Sequence, residues 1–262
     1  MYETSTKDLF LWIRDNKNSG KDIDELYLLL DLVGGISKND LLQLKINSKS
    51  KVSLNVDFNS LKKKWTEHLR FSKPIQYISG SSYWRNFKFE LNTNVLIPRV
   101  ETEKIVEIAS NIISSEDEKI IFADLGTGSG SIAISLVEEN KNWKGLATDI
   151  DMNALHIAQI NHKKISSESN INFYCGNWWE PLRDYAGRIN LAISNPPYIP
   201  RNVYERLPSS VIDFEPKKAL YGGEDGLSHI KQIISNAPKF LVRGGWLILE
   251  NHFDQSKKIK NL

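Results

Sequence analysis

The sequence predicts an α/β protein in which a mainly parallel sheet follows a small N-terminal helical bundle. Three observations support this fold class. Apolar side chains recur with helical spacing before residue 73, predicted strands and helices alternate after residue 98, and the glycine-rich segment 124–130 joins a strand to a helix. Regular alternation of strands and helices is typical of a parallel sheet that carries helices on both faces.

Residues 1–73 are predicted to form the helical bundle. The spacing i, i+3, i+4 and i+7 places apolar side chains on one helical face, at Ile23, Leu26, Tyr27 and Leu30. Gly34-Gly35 predicts the end of that helix, and Ser37 with Asp40 predicts a capping box for the next one. A further helical stripe is formed by Phe58, Leu61, Trp65 and Leu69. No segment before Lys73 is predicted to be a strand.

Residues 74–98 are predicted to be a linker that contains a β-hairpin. The change from the bundle falls at Lys73-Pro74, because the residue before a proline avoids the helical conformation. Side chains alternate along residues 83–91, which predicts one strand, and residues 92–94 predict a turn. Residues 95–97 are the predicted partner strand.

Residues 99–262 are predicted to form the α/β domain. Its predicted strands are 119–125, 145–148, 171–174, 189–194 and 246–250, and its predicted helices are 105–113, 131–139, 152–164 and 227–241. Ligands of such sheets bind beyond the carboxyl ends of the strands. Candidate site residues are therefore sought where the strands end.

Composition narrows the class of protein and its location. Apolar residues make up 40% of the 262 residues, and the formal net charge is only +2, so no global charge indicates nucleic-acid binding. The single cysteine, Cys175, excludes an internal disulfide and suits a reducing compartment. With neither a secretory signal nor an apolar run of about 20 residues, we expect a cytoplasmic protein without membrane association.

The first candidate site is the glycine loop 124–130, which is predicted to bind a cofactor. Its contacting residues are expected to be Gly126, Thr127, Gly128, Ser129 and Gly130. Glycines allow a tight turn and close approach of a ligand to the backbone, and the following helix N-terminus favours a carboxylate or phosphate. Ser131 stands where the dinucleotide fingerprint requires glycine, which argues against a dinucleotide.

An acidic residue at the correct distance supports a nucleoside ligand. Asp149 ends the second predicted strand about 20 residues after the loop, where an acid binds ribose hydroxyls in nucleotide folds. Asp151 is the rival for this role, although it is better placed as a helix N-cap. The expected ligand is therefore a nucleoside that carries an anionic group on a short arm. S-adenosylmethionine matches this description. The alternative is that the glycines only make a turn and Asp149 caps a helix.

The second candidate site is the tetrapeptide Asn195-Pro196-Pro197-Tyr198 after the strand 189–194. Consecutive prolines end the strand and fix the backbone. The Asn195 side-chain oxygen and a proline carbonyl can accept both N–H bonds of a planar –NH₂ group, and Tyr198 can stack on it. Methyl transfer depends on this positioning more than on acid-base catalysis. An ordinary turn after a strand is the alternative. No metal site is predicted.

Two tryptophans follow the strand 171–174 and offer a surface for adenine. One of Trp178 and Trp179 can pack against the base, and Asn177 can bond its amino edge. The alternative is that both tryptophans lie in the hydrophobic core. Sequence alone leaves these two interpretations open.

With these motifs, nearly the whole chain resembles the release-factor glutamine methyltransferases (the HemK/PrmC family). The shared segments are PIQYISG at 74–80, LIPRVETE at 96–103, DLGTGSG at 124–130, NPPY at 195–198, and FEP through YGGEDG at 214–226. The resemblance implies a class I S-adenosylmethionine-dependent methyltransferase fold, which is Rossmann-like, and a role for the bundle in substrate recognition.

The resemblance also implies the substrate and the roles of matched residues. The substrate would be the glutamine in the Gly-Gly-Gln loop of peptide chain release factors, and the product N5-methylglutamine, with no direct contact to nucleic acid. Cofactor binding is implied for Gly126 to Gly130, Asp149, Trp178 and Asn195, and binding of the substrate glutamine for residues 195–198. Leu96, Arg99 and Glu101 are implied to border the site without an assigned role, and an ordinary helix start is their alternative.

Three departures from the family pattern stand out. Val100 replaces the usual proline, and Asn177 replaces a frequent aspartate. The family sheet continues with a helix and two strands beyond the position of Asn251. The domain 99–262 is therefore expected to lack its last strands and to expose the strand 246–250 at an edge.

Other functions share parts of this pattern. A nucleic-acid adenine-N6 methyltransferase also binds a planar amine, and residues 37–73 carry an excess of lysine and arginine, although a solvated helical surface explains that excess. A ribosomal-protein glutamine methyltransferase would share the site. A cofactor-binding module without activity is the non-enzymatic alternative.

Overall fold

The computed structural model describes residues 1–47, 49–113 and 119–262. They divide into two compact units, Met1–Ser82 and Tyr83–Leu262. The border between the units falls inside the segment 74–98 that was predicted to be a linker.

The first unit consists mainly of helices. They are α1 Thr6–Asn18, α2 Ile23–Leu29, α3 Lys38–Ile46, α4 Phe58–Phe71 and α5 Ile75–Ser79. After α2 the chain continues as a π-helical turn over Leu30–Gly34. Gly35 then adopts the left-handed conformation with φ of 70°, so the predicted stop at Gly34-Gly35 is confirmed. The capping box of Ser37 and Asp40 is also confirmed at the start of α3. Leu61 and Trp65 of the predicted stripe are buried in α4.

The prediction that this unit contains no strand is wrong. The short strands β1 Tyr2–Ser5 and β2 Lys51–Leu54 pair in antiparallel orientation, so the unit is not a purely helical bundle. In β2, Val52 and Leu54 are buried while Lys51 and Ser53 are exposed. This alternation covers only four residues in a lysine-rich stretch, and the strand partner lies far away in sequence.

The predicted hairpin exists but its turn was misplaced. The paired strands are β3 Ser81–Trp84 and β4 Phe87–Glu90, and residues 95–97 form no strand. The chain turns at Arg85, which adopts a left-handed φ of 51°. Trp84 and Phe89 are both buried. The buried side chain is thus at an even-numbered position before the turn and at an odd-numbered position after it. The aromatic residues of two strands therefore imitate the alternation of a single strand.

The second unit contains the predicted parallel sheet. Its strands are β5 Ile121–Leu125, β6 Lys144–Asp149, β7 Ile171–Cys175, β8 Ile189–Ser194 and β9 Leu241–Leu249, in the order β7-β6-β5-β8-β9, and every neighbouring pair is parallel. Its helices are α6 Glu103–Ile112, α7 Ser131–Glu139, α8 Met152–Ile165, α9 Arg201–Tyr204, α10 Ser209–Ile212, α11 Ser228–Phe240 and α12 Ser256–Ile259. The predicted α/β fold class is confirmed.

Strand β9 begins at Leu241, five residues before its predicted start at Trp246. Arg243-Gly244-Gly245 interrupts the apolar pattern there, and the pairing register with β8 shifts between Ile189 and Leu191. Within the described residues β9 lies at the edge of the sheet, as predicted.

The sheet topology determines where a ligand can bind. The chain proceeds from β5 outward to β6 and β7, then returns to the other side of β5 with β8 and β9. Strand order therefore reverses between β5 and β8, and parallel sheets bind ligands at the carboxyl ends of the strands beside such a reversal. In the described parts of the chain, no helix is both long and apolar enough to cross a membrane.

Candidate active site

A cavity of about 520 Å³ lies within the second unit, at the carboxyl ends of the strands. Its volume is in the range of about 300–1,000 Å³ that is typical of small-molecule sites. Most of the predicted site residues line it, namely Gly126, Thr127, Gly128, Ser129, Asp149, Asn177, Trp178, Asn195 and Pro197. Gly130, Pro196 and Tyr198 are outside this lining.

The glycine loop has the conformation that its sequence predicts. Gly126, Gly128 and Gly130 all adopt positive φ angles, of 78°, 55° and 83°. A Cβ atom at Gly126 would lie 3.0 Å from the Trp178 ring, and one at Gly130 would lie 3.2 Å from Ala158 in α8. Gly126 therefore keeps the cavity wall open, whereas Gly130 lets α7 pack against α8.

Asp149 connects the loop to the second strand. Its Oδ2 accepts a hydrogen bond from the Gly128 N–H at 2.9 Å, and its Oδ1 accepts one from the Asp151 N–H at 2.9 Å. Burial raises the pKa of this carboxyl above its ordinary value, and the two hydrogen bonds oppose that rise. Asp151 caps α8 by accepting from the Asn153 N–H, as predicted, and pairs with Lys218.

A second acidic residue, Asp124, fixes the base of the loop. It is fully buried at the end of β5. Its Oδ2 accepts hydrogen bonds from the Thr127 hydroxyl at 2.7 Å and from the Ala133 N–H at 3.2 Å. Burial raises the pKa of Asp124 to about 7. The sequence included this residue in the motif but assigned it no role.

The structure separates the two tryptophans that sequence left undecided. Trp179 is buried, donates to the Ile233 carbonyl at 3.0 Å, and stacks on Phe240. Trp178 adopts a left-handed φ of 48° and lines the cavity. Its indole Nε1 is buried without a hydrogen-bond partner among the described residues. Of the two, only Trp178 can contact a ligand in this cavity.

His229 is a cavity residue that the sequence did not indicate. Its ring lies 5.6 Å from the Trp178 ring, and its Nδ1 is likewise buried without a partner in the described chain. Burial lowers the pKa of His229, so the imidazole is neutral near pH 7. Two unpaired ring nitrogens in one apolar wall can provide hydrogen bonds to a nucleoside.

The Asn195 amide is oriented by a neighbouring hydroxyl. Its Nδ2 donates to Thr102 Oγ1 at 3.0 Å, and its Oδ1 has no hydrogen-bond partner in the described part of the chain. The Tyr198 hydroxyl donates to Glu250 at 3.0 Å, away from the cavity lining. Burial and the Glu250 carboxylate raise the pKa of Tyr198, so the phenol stays protonated.

The segment that was expected to border the site does so in part. Leu96 and Arg99 line the cavity, whereas Glu101 does not. Arg99 forms an ion pair of 2.5 Å with Glu215, whose side chain is only 2% exposed. Thr102 and the segment 217–219 also line the cavity, and neither had been predicted.

Comparisons with known proteins show what the chain is similar to. The methyltransferase small domain family matches residues 99–207. A release factor glutamine methyltransferase of Prochlorococcus marinus is 37% identical over 98% of this chain and 88% of its own length. The chain belongs to the release factor glutamine methyltransferase family. A second member, from Coxiella burnetii, is 40% identical over 90% of this chain and 80% of that protein.

Membership in the family confirms several predictions. The predicted family, the methyltransferase activity and the dependence on S-adenosylmethionine are confirmed. Among solved structures, a SAM-dependent methyltransferase from Agrobacterium tumefaciens has a TM-score of 0.49 and 12% identity over 68% of this chain and 56% of that one. The roles of the individual site residues stay predictions.

The residues around the cavity fit S-adenosylmethionine. An added Cβ at Gly126 would intrude between the loop and Trp178, whereas one at Gly128 would meet no atom within 4 Å, so the loop backbone is accessible there. Trp178 and His229 lie in the same wall, and each has a ring nitrogen without a partner among the described residues. No group of three or more metal-ligating side chains occurs in residues 1–47, 49–113 and 119–262.

Proposed function

We propose that this enzyme methylates the side-chain amide nitrogen of the glutamine in the Gly-Gly-Gln loop of peptide chain release factors. The product is N5-methylglutamine. The observation that carries the proposal is the orientation of Asn195, whose Oδ1 has no partner among the described residues and which lines a cavity bounded by the glycine loop. Family membership supports the same substrate.

The cofactor contacts follow from the cavity wall. The N-terminus of α7 and the loop amides suit the methionine carboxylate. Asp149 has lone pairs beyond its two backbone hydrogen bonds, so it can accept from ribose hydroxyls. Trp178 supplies an apolar face and an indole N–H for the adenine ring.

The substrate contacts follow from the acceptors after β8. When bound, S-adenosylmethionine supplies an electrophilic methyl group on a sulfonium. The Asn195 oxygen and a carbonyl of Pro196 or Pro197 accept the two N–H bonds of the glutamine amide, which directs the nitrogen lone pair at that methyl group. The cofactor would give up this methyl group and leave as S-adenosylhomocysteine, and the proton displaced from the amide nitrogen would pass to solvent. Positioning of this kind can supply most of the rate enhancement.

The N-terminal unit is proposed to recognise the release factor, and the location is proposed to be the cytoplasm, where release factors act. We propose no direct contact between the enzyme and nucleic acid. The Asn-Pro-Pro-Tyr tetrapeptide also suits adenine, so nucleic acid is included as a competing substrate in the test.

Methyl transfer from labelled S-adenosylmethionine to several substrates tests the proposal. A release factor, the same factor with its loop glutamine changed to asparagine, a ribosomal protein and DNA are compared side by side. We expect one methyl group on the loop glutamine of the unchanged factor, located by mass spectrometry. Methylation of DNA adenine without any gain on the release factor would contradict the proposal.

A further inference from the structure

The Thr102 hydroxyl stands where a helix-capping group is expected, but it contacts a different side chain. Thr102 precedes the first residue of α6, and its side chain makes no capping hydrogen bond. Its Oγ1 accepts from Asn195 Nδ2 instead, and the residue is only 4% exposed. Helix capping, the ordinary role of a threonine at this position, therefore does not explain it.

In this hydrogen bond the Asn195 amide uses its nitrogen, so its oxygen remains available. A side-chain amide offers donors at its nitrogen and an acceptor at its oxygen. Because Thr102 engages the nitrogen, the oxygen is left for the cavity. With the amide reversed, Asn195 would present N–H donors to the –NH₂ group of a glutamine, and two sets of donors would face each other.

Both partners are held by rigid parts of the unit. The Arg99 carbonyl accepts from the buried Trp84 indole at 2.7 Å and from the Thr102 N–H at 3.2 Å. Asn195 follows Ser194, whose hydroxyl donates to the main chain of β5 at 2.6 Å. The distance between hydroxyl and amide is therefore set by the fold around them.

We propose that Thr102 is a positioning residue that holds the Asn195 side-chain amide in the orientation that accepts a hydrogen bond from a primary amide. This inference rests on the proposed function. Thr102 is expected to act on turnover, because a reoriented Asn195 misaligns the nucleophile. It should leave cofactor affinity unchanged.

Three variants test this role. Thr102→Val keeps the side-chain shape and removes the hydroxyl, and it should lower kcat for release-factor methylation about 10- to 100-fold. Thr102→Ser keeps the hydroxyl and should restore most of that loss. Ser135→Ala is the control, because it removes a fully buried hydroxyl that has no partner among the described residues. Calorimetry should give the same S-adenosylmethionine Kd for all three variants and the wild type.

A second measurement needs no substrate. The Asn195 side-chain NH₂ signal in a ¹⁵N-correlated NMR spectrum, assigned by its loss in Asn195→Asp, should shift and exchange faster in Thr102→Val than in Ser135→Ala. An active wild type with equal kcat in Thr102→Val and Ser135→Ala would overturn the positioning role alone. An unmoved amide signal would overturn the hydrogen bond itself. A wild type inactive on release factors would overturn the proposed function, and with it this role.

Discussion

The buried carboxyl of Asp124 predicts a specific dependence of stability on pH. Its pKa is raised from 3.8 to about 7 in the folded protein, chiefly by burial. That difference is about 3 pH units, and each unit corresponds to about 1.4 kcal/mol. Ionised Asp124 therefore destabilises the folded state by up to about 4 kcal/mol.

The direction of the effect follows from proton binding. Between pH 4 and pH 7 the folded state retains a proton on Asp124 that the unfolded state has released. Its contribution to the free energy of unfolding therefore falls as pH rises through this window, and it is constant above about 7. Asp124→Asn cannot ionise, so this part of the fall should be missing.

Urea unfolding without cofactor, followed by far-ultraviolet circular dichroism at pH 5 and pH 8, measures the effect. The free energy of unfolding of Asp124→Asn should gain about 3 kcal/mol on the wild type between the two pH values. Any unpaired amide hydrogen in the variant costs the same at both and cancels. Thr127→Val is the variant of opposite sign, because the Thr127 hydroxyl lowers the pKa of Asp124, and its loss should extend the fall above pH 7. Identical pH dependence in Asp124→Asn and wild type would refute the reasoning.

Three further variants separate cofactor binding, turnover and folding. Asp149→Ala should weaken S-adenosylmethionine binding by one to two decades, since hydrogen bonds to charged groups contribute about 1.5–3 kcal/mol. Unchanged cofactor affinity in this variant would contradict the ribose role of Asp149. Asn195→Ala should mainly lower kcat. Asn161→Ala should destabilise the unit by at least about 2 kcal/mol, because buried Asn161 bonds both main-chain groups of Glu90 and the Ser129 carbonyl. Urea unfolding measures this loss. A free energy of unfolding equal to that of the wild type would show that Asn161 does not stabilise the glycine loop.

Sequence predicted the elements whose signals are local. The helix 131–139 and the strand 189–194 were predicted to the residue, because each is rich in apolar residues and has a clear boundary signal, Gly130 before the helix and Pro196 shortly after the strand. The strand pair β1–β2 was missed, since it joins residues about 50 positions apart and neither strand is apolar along its length. For the same reason the segment Lys51–Leu54, which lies in a lysine-rich stretch, was included in the predicted helical bundle.

The candidate site shows a similar division. The glycine loop, Asp149 and Asn195 are recognisable because their chemistry lies within motifs or at a fixed spacing from them. Thr102 and His229 are brought to the cavity by α6 and α11, and nothing in the sequence near Asn195 or Trp178 indicates them. The choice between Trp178 and Trp179 depended on the left-handed backbone at Trp178, which a non-glycine residue rarely adopts.

The position of β8 in the sheet has a consequence for synthesis on the ribosome. The strands β5 to β7, which adjoin the glycine loop, Asp149 and Trp178, are translated before β8, although β8 pairs directly with β5. A nascent chain thus contains the Thr102 hydroxyl and the whole glycine loop while one side of β5 is still uncovered. Asn195, the proposed contact of the substrate amide, emerges after them, attached to the strand that covers that side. The growing polypeptide therefore contains the glycine loop and Asp149, the proposed cofactor contacts, before the proposed substrate contact is added with β8.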